Sequence, residues 1–288
     1  MRRNRLPRAW ALPVVAIIVA LAIAPATRAA LLFSDDFAYP NGPLVGNSGG
    51  TGWAPLSAWA YATGATGNTV TNPLPGTGGK SIQISSNNAI VSRPLSTTYA
   101  SGGTSAYYIS FGFNAAPFQG LNNGLYAGVA VYLNADPSNN LFMGMPGSSG
   151  AFGFDWTSRG DPSAIASNNT NYLALYAITP GPGNTTSVTM YATTNLLMSG
   201  TALMSTTPWV SILDDLNFSF DSVNVSGAYN TGSIKFAGFA MADNPTEAVA
   251  FTQTAVPEPS SLLLGALPVA LGAYAIRVSR RKSRRATG

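Results

Sequence analysis

The sequence predicts an all-β fold, an antiparallel β-sandwich, flanked by an N-terminal signal helix and a C-terminal hydrophobic helix. Three observations predict it. Short apolar and aromatic runs of strand length recur through residues 31–255, and turn residues separate them. No long stretch there carries a 3.6-residue apolar period with good caps. Many short strands without crossover helices favour an antiparallel sandwich over a parallel α/β sheet. No repeat of fixed period is visible, which argues against a propeller or solenoid.

Along the chain, strand character falls at 81–85 and 89–93, then at 107–114, 125–133, 141–145 and 151–156. It returns at 172–178, 188–193, 210–213, 216–220, 234–241 and 249–252. Asn122-Asn123-Gly124, Asp136-Pro137-Ser138 and Pro180-Gly181-Pro182-Gly183 are the turns between them. The Gly/Thr-rich stretch 64–79 reads as a long surface loop. It is no phosphate cradle, because no Gly-x-x-x-x-Gly-Lys-Ser/Thr opens a helix in this chain.

The ends differ sharply from this body. Arg2, Arg3, Arg5 and Arg8 precede an apolar run from Trp10 to Ala24, and small residues follow in Ala24-Pro25-Ala26 and Thr27-Arg28-Ala29. That is the pattern of a signal peptide over residues 1–29, with cleavage expected after Ala29 or Ala26. An uncleaved anchor helix is the alternative, although the run is short for a membrane span. At the other end, Val256-Pro257-Glu258-Pro259-Ser260 precedes a hydrophobic helix at 261–276, interrupted by Pro268. A basic cluster follows: Arg277, Arg280, Arg281, Lys282, Arg284 and Arg285.

Charge geography fixes the topology these ends imply. The whole chain has a formal net charge of +4, a sign that by itself points to nucleic acid. The stretch 31–276, however, holds only Lys80, Arg93, Arg159 and Lys235 against all eleven acidic residues, a net −7. The basic charge flanks the apolar termini, so no nucleic acid partner is expected. Basic residues at both ends ask for the cytoplasmic side and leave 31–255 outside the membrane.

The C-terminal segment 256–285 resembles the PEP-CTERM sorting signal of Gram-negative-type bacteria in its motif, its order and its terminal position. The resemblance implies recognition by an exosortase, a membrane transpeptidase, and processing near Pro257-Glu258-Pro259. It also implies the general secretion machinery and a signal peptidase as earlier partners, and the cell surface or extracellular polysaccharide matrix as destination. An ordinary C-terminal anchor is the alternative. The body's opening offers a second, looser resemblance. Phe33-Ser34-Asp35-Asp36-Phe37-Ala38-Tyr39-Pro40-Asn41-Gly42, followed by Gly50-Thr51-Gly52-Trp53, is similar to the start of concanavalin A-like (LamG, lectin-like) jelly rolls. That resemblance implies a two-sheet sandwich whose first strand lies near its last.

Composition excludes several chemistries. There is no cysteine and no histidine, hence no disulfide, no thiolate zinc site, no Cys nucleophile and no Ser-His-Asp triad. Without disulfides, a body of about 225 residues has to rest on one hydrophobic core. Glycoside hydrolysis generally needs two cooperating carboxylates, and the body offers one glutamate, Glu247, besides its aspartates. Adjacent aspartates on a strand point to opposite faces, so no catalytic residue is assigned.

The same aspartates, Asp35, Asp36, Asp214, Asp215 and Asp221, are candidates for a structural Ca²⁺, against the plainer role of capping turns. Trp53 and Trp59, in a Gly/Pro-rich loop, are candidates for stacking on sugar rings, against core packing. Trp156, closing the alternating run Phe152, Phe154, Trp156, reads as core. The expected function is a non-catalytic surface or matrix protein. A lectin-like carbohydrate-binding module is the first alternative and a polysaccharide-acting hydrolase the second.

Overall fold

A computed structural model of the chain describes residues 30–253, apart from 64–67, 76, 78, 85–88, 101–104, 116–125, 133–139, 146–151, 157–162, 165–168, 182–184, 215–218 and 229–233. The expected signal peptide and the tail from residue 254, with its motif, apolar helix and basic cluster, lie outside the described residues.

The early strands are β1 (Leu31–Asp35), β2 (Gly42–Pro43), β3 (Ala60–Thr63), β4 (Asn68–Thr71), β5 (Ser81–Ile84) and β6 (Ala89–Ala100). Five central strands follow: β7 (Tyr107–Ala115), β8 (Tyr126–Tyr132), β9 (Asn140–Met145), β10 (Phe152–Trp156) and β11 (Ser163–Ala164). The last are β12 (Thr170–Pro180), β13 (Thr186–Thr193), β14 (Val210–Asp214), β15 (Ser219–Ala228) and β16 (Ile234–Ala242). Two short helices, α1 (Gly200–Met204) and α2 (Pro245–Thr252), complete the described elements.

They form the antiparallel sandwich that the sequence predicts. One sheet runs β14-β13-β12-β7-β16-β5-β4-β2, with β1 added beside β16. The other runs β11-β10-β9-β8-β15-β6-β3. The first strand therefore pairs with the last, Ser34 opposite Ala240 and Asp35 opposite Phe239. Period-two patterning puts Phe111, Phe113, Tyr176 and Phe236 of the first sheet inward against Val129, Met143, Phe152, Phe154 and Val225 of the second. Phe113 stacks on Phe152 with ring centroids 3.9 Å apart. Side chains also stitch the layers: Tyr176 donates to the Gly153 carbonyl at 2.8 Å, and Asn68 donates to the Val225 carbonyl at 3.0 Å.

Three expectations are corrected. Residues 249–252 are the end of α2, not a strand. Asn244 caps that helix by accepting from the Thr246 amide, Pro245 opens it, and Glu247 sits in its first turn. These start signals outweigh the β-leaning Val249–Thr252 residues. The stretch 64–79 is not simply a surface loop, for it contains β4, and Val70, Leu74 and Thr77 are buried. The strand expected at 216–220 runs as Ser219–Ala228. It alternates Val223 and Val225, which face the core, with Ser222, Asn224 and Ser226, which are buried on the other face.

Candidate functional site

Two places in the described fold gather polar and aromatic side chains. The first joins the two sheets at the N-terminal segment. Asp35, on β1, is fully buried. Its Oδ1 accepts from the Phe37 amide at 2.8 Å. Its Oδ2 accepts from the Tyr39 hydroxyl at 2.5 Å, Trp59 Nε1 at 3.0 Å and Arg93 Nη1 at 3.2 Å. Every neighbour donates, which suits the carboxylate form. Burial raises the Asp35 carboxyl above its usual range, while the bonds from Tyr39, Trp59 and Phe37 and the Arg93 charge pull it down.

Arg93 comes from β6 of the opposite sheet and is 4% exposed. It also donates to the Gly49 carbonyl at 2.8 Å and to Ser57 Oγ at 3.3 Å, and its guanidinium carbon lies 4.5 Å from the Trp53 ring centroid.

This arrangement overturns two sequence expectations. Trp53 and Trp59 do not stand out from a loop: they are 8% and 1% exposed. Their rings meet edge-on at 5.4 Å, Phe33 and Phe37 pack beside them, and the Trp53 indole donates to the Ser34 carbonyl at 2.8 Å. They belong to the core because the glycines around them let the loop lie on β1. A Cβ at Gly50 would sit 1.8 Å from the Ser34 carbonyl oxygen, and one at Gly52 2.0 Å from that of Leu32. Nor is Asp35 open to a cation, since four protein donors occupy its oxygens.

The other described calcium candidates, Asp36 and Asp221, do not gather. Asp36 caps its own turn by accepting from the Ala38 amide. Asp221 lies on β15, the side chain of Asp214 is outside the described residues, and so is Asp215. Among the described residues no three Asp, Glu, His or Cys side chains form a metal group. The side chain of Trp156 is likewise outside the described residues.

The second place is the outer face of the second sheet, which the sequence did not single out. Directly opposed residues in antiparallel strands share a face. Ser92 opposes Asn224, Asn224 opposes Ala130, Ala130 opposes Phe142, and Phe142 opposes Asp155. This row crosses five strands, and small residues flank it: Ser226 opposes Gly128, which opposes Gly144, which opposes Gly153. The Phe142 ring lies close over Gly128, where a Cβ would come within 2.7 Å of it. Asn224 is 4% exposed, and its side-chain oxygen accepts no hydrogen bond among the described residues.

A bulge extends the row on one side. Between the pairs Phe220–Tyr99 and Ser222–Pro94, the single residue Asp221 faces four residues of β6. The bulge opens a cleft of about 380 Å³ lined by Ser92, Ser96, Thr97, Thr98, Asp221 and Ser222, among others.

A second cleft, of about 330 Å³, lies over the Asp35–Arg93 joint, between Ser48, Gly49, Pro55, Leu56, Ser57 and Arg93. The Ser57 amide donates to the Ala54 carbonyl, closing a tight turn with Pro55 and Leu56 at its centre. Leu56 has φ +59° and is fully exposed. A type II turn wants glycine at that position, and a leucine there costs roughly 1 kcal/mol.

Comparison with known proteins adds little to this geometry. No family model and no curated protein matches the chain. Solved structures align weakly. The T. cruzi calreticulin globular domain has 9% identity over 86% of this chain and 100% of its own, with a TM-score of 0.43. A protein of unknown function from Shewanella oneidensis MR-1 has 9% identity over 84% and 96%, with a TM-score of 0.42. The Bauhinia forficata lectin, solved in complex with GalNAc, has 9% identity over 70% and 96%, with a TM-score of 0.41. The chain is similar to these β-rich proteins in outline, and its antiparallel sandwich is defined by its own register.

Proposed function

We propose that this chain is an exported, non-catalytic cell-surface or matrix protein of a Gram-negative-type bacterium. In this reading its tail anchors it in the inner membrane until an exosortase processes it at Pro257-Glu258-Pro259. The observation that carries the reading is the placement of basic residues outside both apolar termini around an acidic body. The fold's limits support it. The first strand starts at Leu31, so cleavage after Ala26 or Ala29 leaves β1 whole beside β16. The last helix ends at Thr252, and the motif begins at Val256, just beyond the packed body. A processing enzyme could therefore cut there without unfolding the sandwich.

The test is cell fractionation of the Pro257→Ala/Glu258→Ala/Pro259→Ala variant. It should accumulate in the membrane fraction at its uncut length, while the parent protein reaches the exterior. Normal release of the variant defeats the sorting reading.

A carbohydrate-binding role is the second reading, favoured by the row across the second sheet. The cleft at the end of that row, beside the buried Asn224 amide, is lined by the hydroxyls of Ser92, Ser96, Thr97 and Thr98 and the Asp221 carboxyl, groups that bond a sugar's hydroxyls. Glycan-array binding that disappears in Asn224→Ala supports it, whereas silence across the array removes it. A hydrolase has less support. Glu247 occupies the first turn of α2 on the other sheet, and the Asp35 carboxylate is consumed by its donors.

A further inference from the structure

The turn at Leu56 sets a fully exposed, large apolar side chain in a backbone conformation suited to glycine. Neither packing nor solubility accounts for it, because the side chain touches no core and offers only apolar surface to water. It stands on the rim of the cleft over the Asp35–Arg93 joint. On the cleft's inner side, Arg93 spends Nε and Nη1 on Ser57, Asp35 and Gly49. Nη2 is left without a protein partner among the described residues. The exposed Leu56 and the Arg93 guanidinium, nine-tenths buried and held by three partners, therefore line one concave space of about 330 Å³.

We propose that this cleft is a subsite for a neutral sugar residue. Its apolar ring face rests on Leu56 and Pro55, and its oxygens accept from Arg93 Nη2 and bond the Ser48 hydroxyl. The charge of Arg93 is already balanced by Asp35, 3.2 Å away, and the body is acidic overall, so a neutral acceptor fits and a carboxylate is repelled. A peptide strand has no free edge to join here. Thr51 is already bridged to Ser34 and Trp53 to Leu95. The inference rests on the carbohydrate-binding reading but places the sugar away from the Asn224 row.

The test titrates the full-length chain, in a non-glycosidic detergent, with neutral gluco-, galacto- and manno-oligosaccharides and separately with oligouronates. Calorimetry reads affinity, and tryptophan fluorescence reports on Trp53 in the cleft wall. At least one neutral series should bind, and Leu56→Gly should weaken it about tenfold, the loss expected for one apolar contact. The same variant should unfold at a temperature no lower than the parent, because glycine relieves the turn. Ser48→Ala should weaken binding less. Binding unchanged in Leu56→Gly, a preference for oligouronates, or no binding by any neutral series overturns the subsite. If Asn224→Ala abolishes binding and Leu56→Gly leaves it intact, the sugar sits on the sheet face. The cleft proposal then falls while the carbohydrate reading stands.

Discussion

The two sheets turn different faces away from the shared core. Behind the first, α1 and α2 cover Leu173, Leu175 and Ala242 with Leu203, Ala248 and Val249, forming a second apolar cluster. Behind the second, the outward positions are Ser92, Ser222, Asn224 and Ser226 among glycines, with Phe142 and Ala130 as a small apolar pair. Both sheets turn apolar residues toward the shared core, so the inward faces alone do not distinguish them. The identity of the outward residues does: leucines call for a covering helix, whereas hydroxyls and an amide suit a face that meets polar molecules. The first outer face is thus sealed by apolar packing, whereas the second is polar yet closely packed, with Phe142, Ser222, Asn224 and Ser226 each no more than 7% exposed.

Both faces depend on the joint that holds the sheets together, so the largest effect should come from breaking it. Asp35→Ala removes the carboxylate from β1 and leaves Arg93 of β6 buried without its charge partner. Urea unfolding should show a loss of about 3–5 kcal/mol. Adding Arg93→Met should recover part of it; a loss below about 1 kcal/mol for the single variant would mean that the pair does not join the sheets. Next comes the sealed face. Leu203→Ala empties a fully buried position in α1 and should cost about 2–3 kcal/mol by the same measurement. A cost near zero would show that the helices merely rest on the first sheet.

How much of this was legible in the sequence differs between the two faces for physical reasons. Runs such as 107–114, 141–145 and 172–178 were readable because both of their faces are buried, so almost every residue is apolar or aromatic. The strand Ser219–Ala228 was half missed because its outward residues, Ser222, Asn224 and Ser226, look like turn residues until their register is known. Trp53 and Trp59 were misplaced because glycine-rich loops usually stay at the surface. Here Gly50 and Gly52 instead bring the loop against β1, a long-range contact that composition does not encode. The signal that could have found the joint was the cluster Asp35, Tyr39, Trp59 and Arg93: one buried cation and several donors around one acid. Asn244-Pro245-Thr246-Glu247 held the helix start that strand propensity at 249–252 obscured.

Smaller perturbations sharpen the contrast. Gly238 lies at φ +58° in β16, where the strand passes from β5 to β1, and a Cβ there would approach the Thr252 backbone to 2.9 Å. Gly238→Ala should cost about 1–2 kcal/mol and loosen α2, because it strains the backbone and pushes the helix end off the sheet. A neutral outcome would mean that β16 tolerates a side chain at this point and that Gly238 does not seat the helix. Tyr176→Phe should cost about 1 kcal/mol at neutral pH by deleting the inter-sheet bond to Gly153.

Burial raises the Tyr176 hydroxyl above its usual value, so the folded state keeps a proton that the unfolded chain releases. The folded state then binds more protons. Stability is fully present below about pH 10 and falls as pH rises above it. Stability curves that show no shallower alkaline slope in Tyr176→Phe would assign that fall to the other raised tyrosines, Tyr39, Tyr99 and Tyr108.

The smallest effect on stability should come from the polar outer row of the second sheet, and its smallness is the diagnostic. Asn224→Ala deletes an amide whose oxygen accepts no hydrogen bond among the described residues, so removing it gives up no bond to them from that atom. The change in unfolding free energy should stay within about 0.5 kcal/mol, or favour the variant slightly, as for other uncompensated buried polar groups. A buried strand residue chosen only for the fold would not behave this way. If Asn224→Ala instead costs as much as Leu203→Ala, the outer row of the second sheet is as structural as the helix-sealed face. The contrast between the two sheets, and the carbohydrate reading built on it, then collapses.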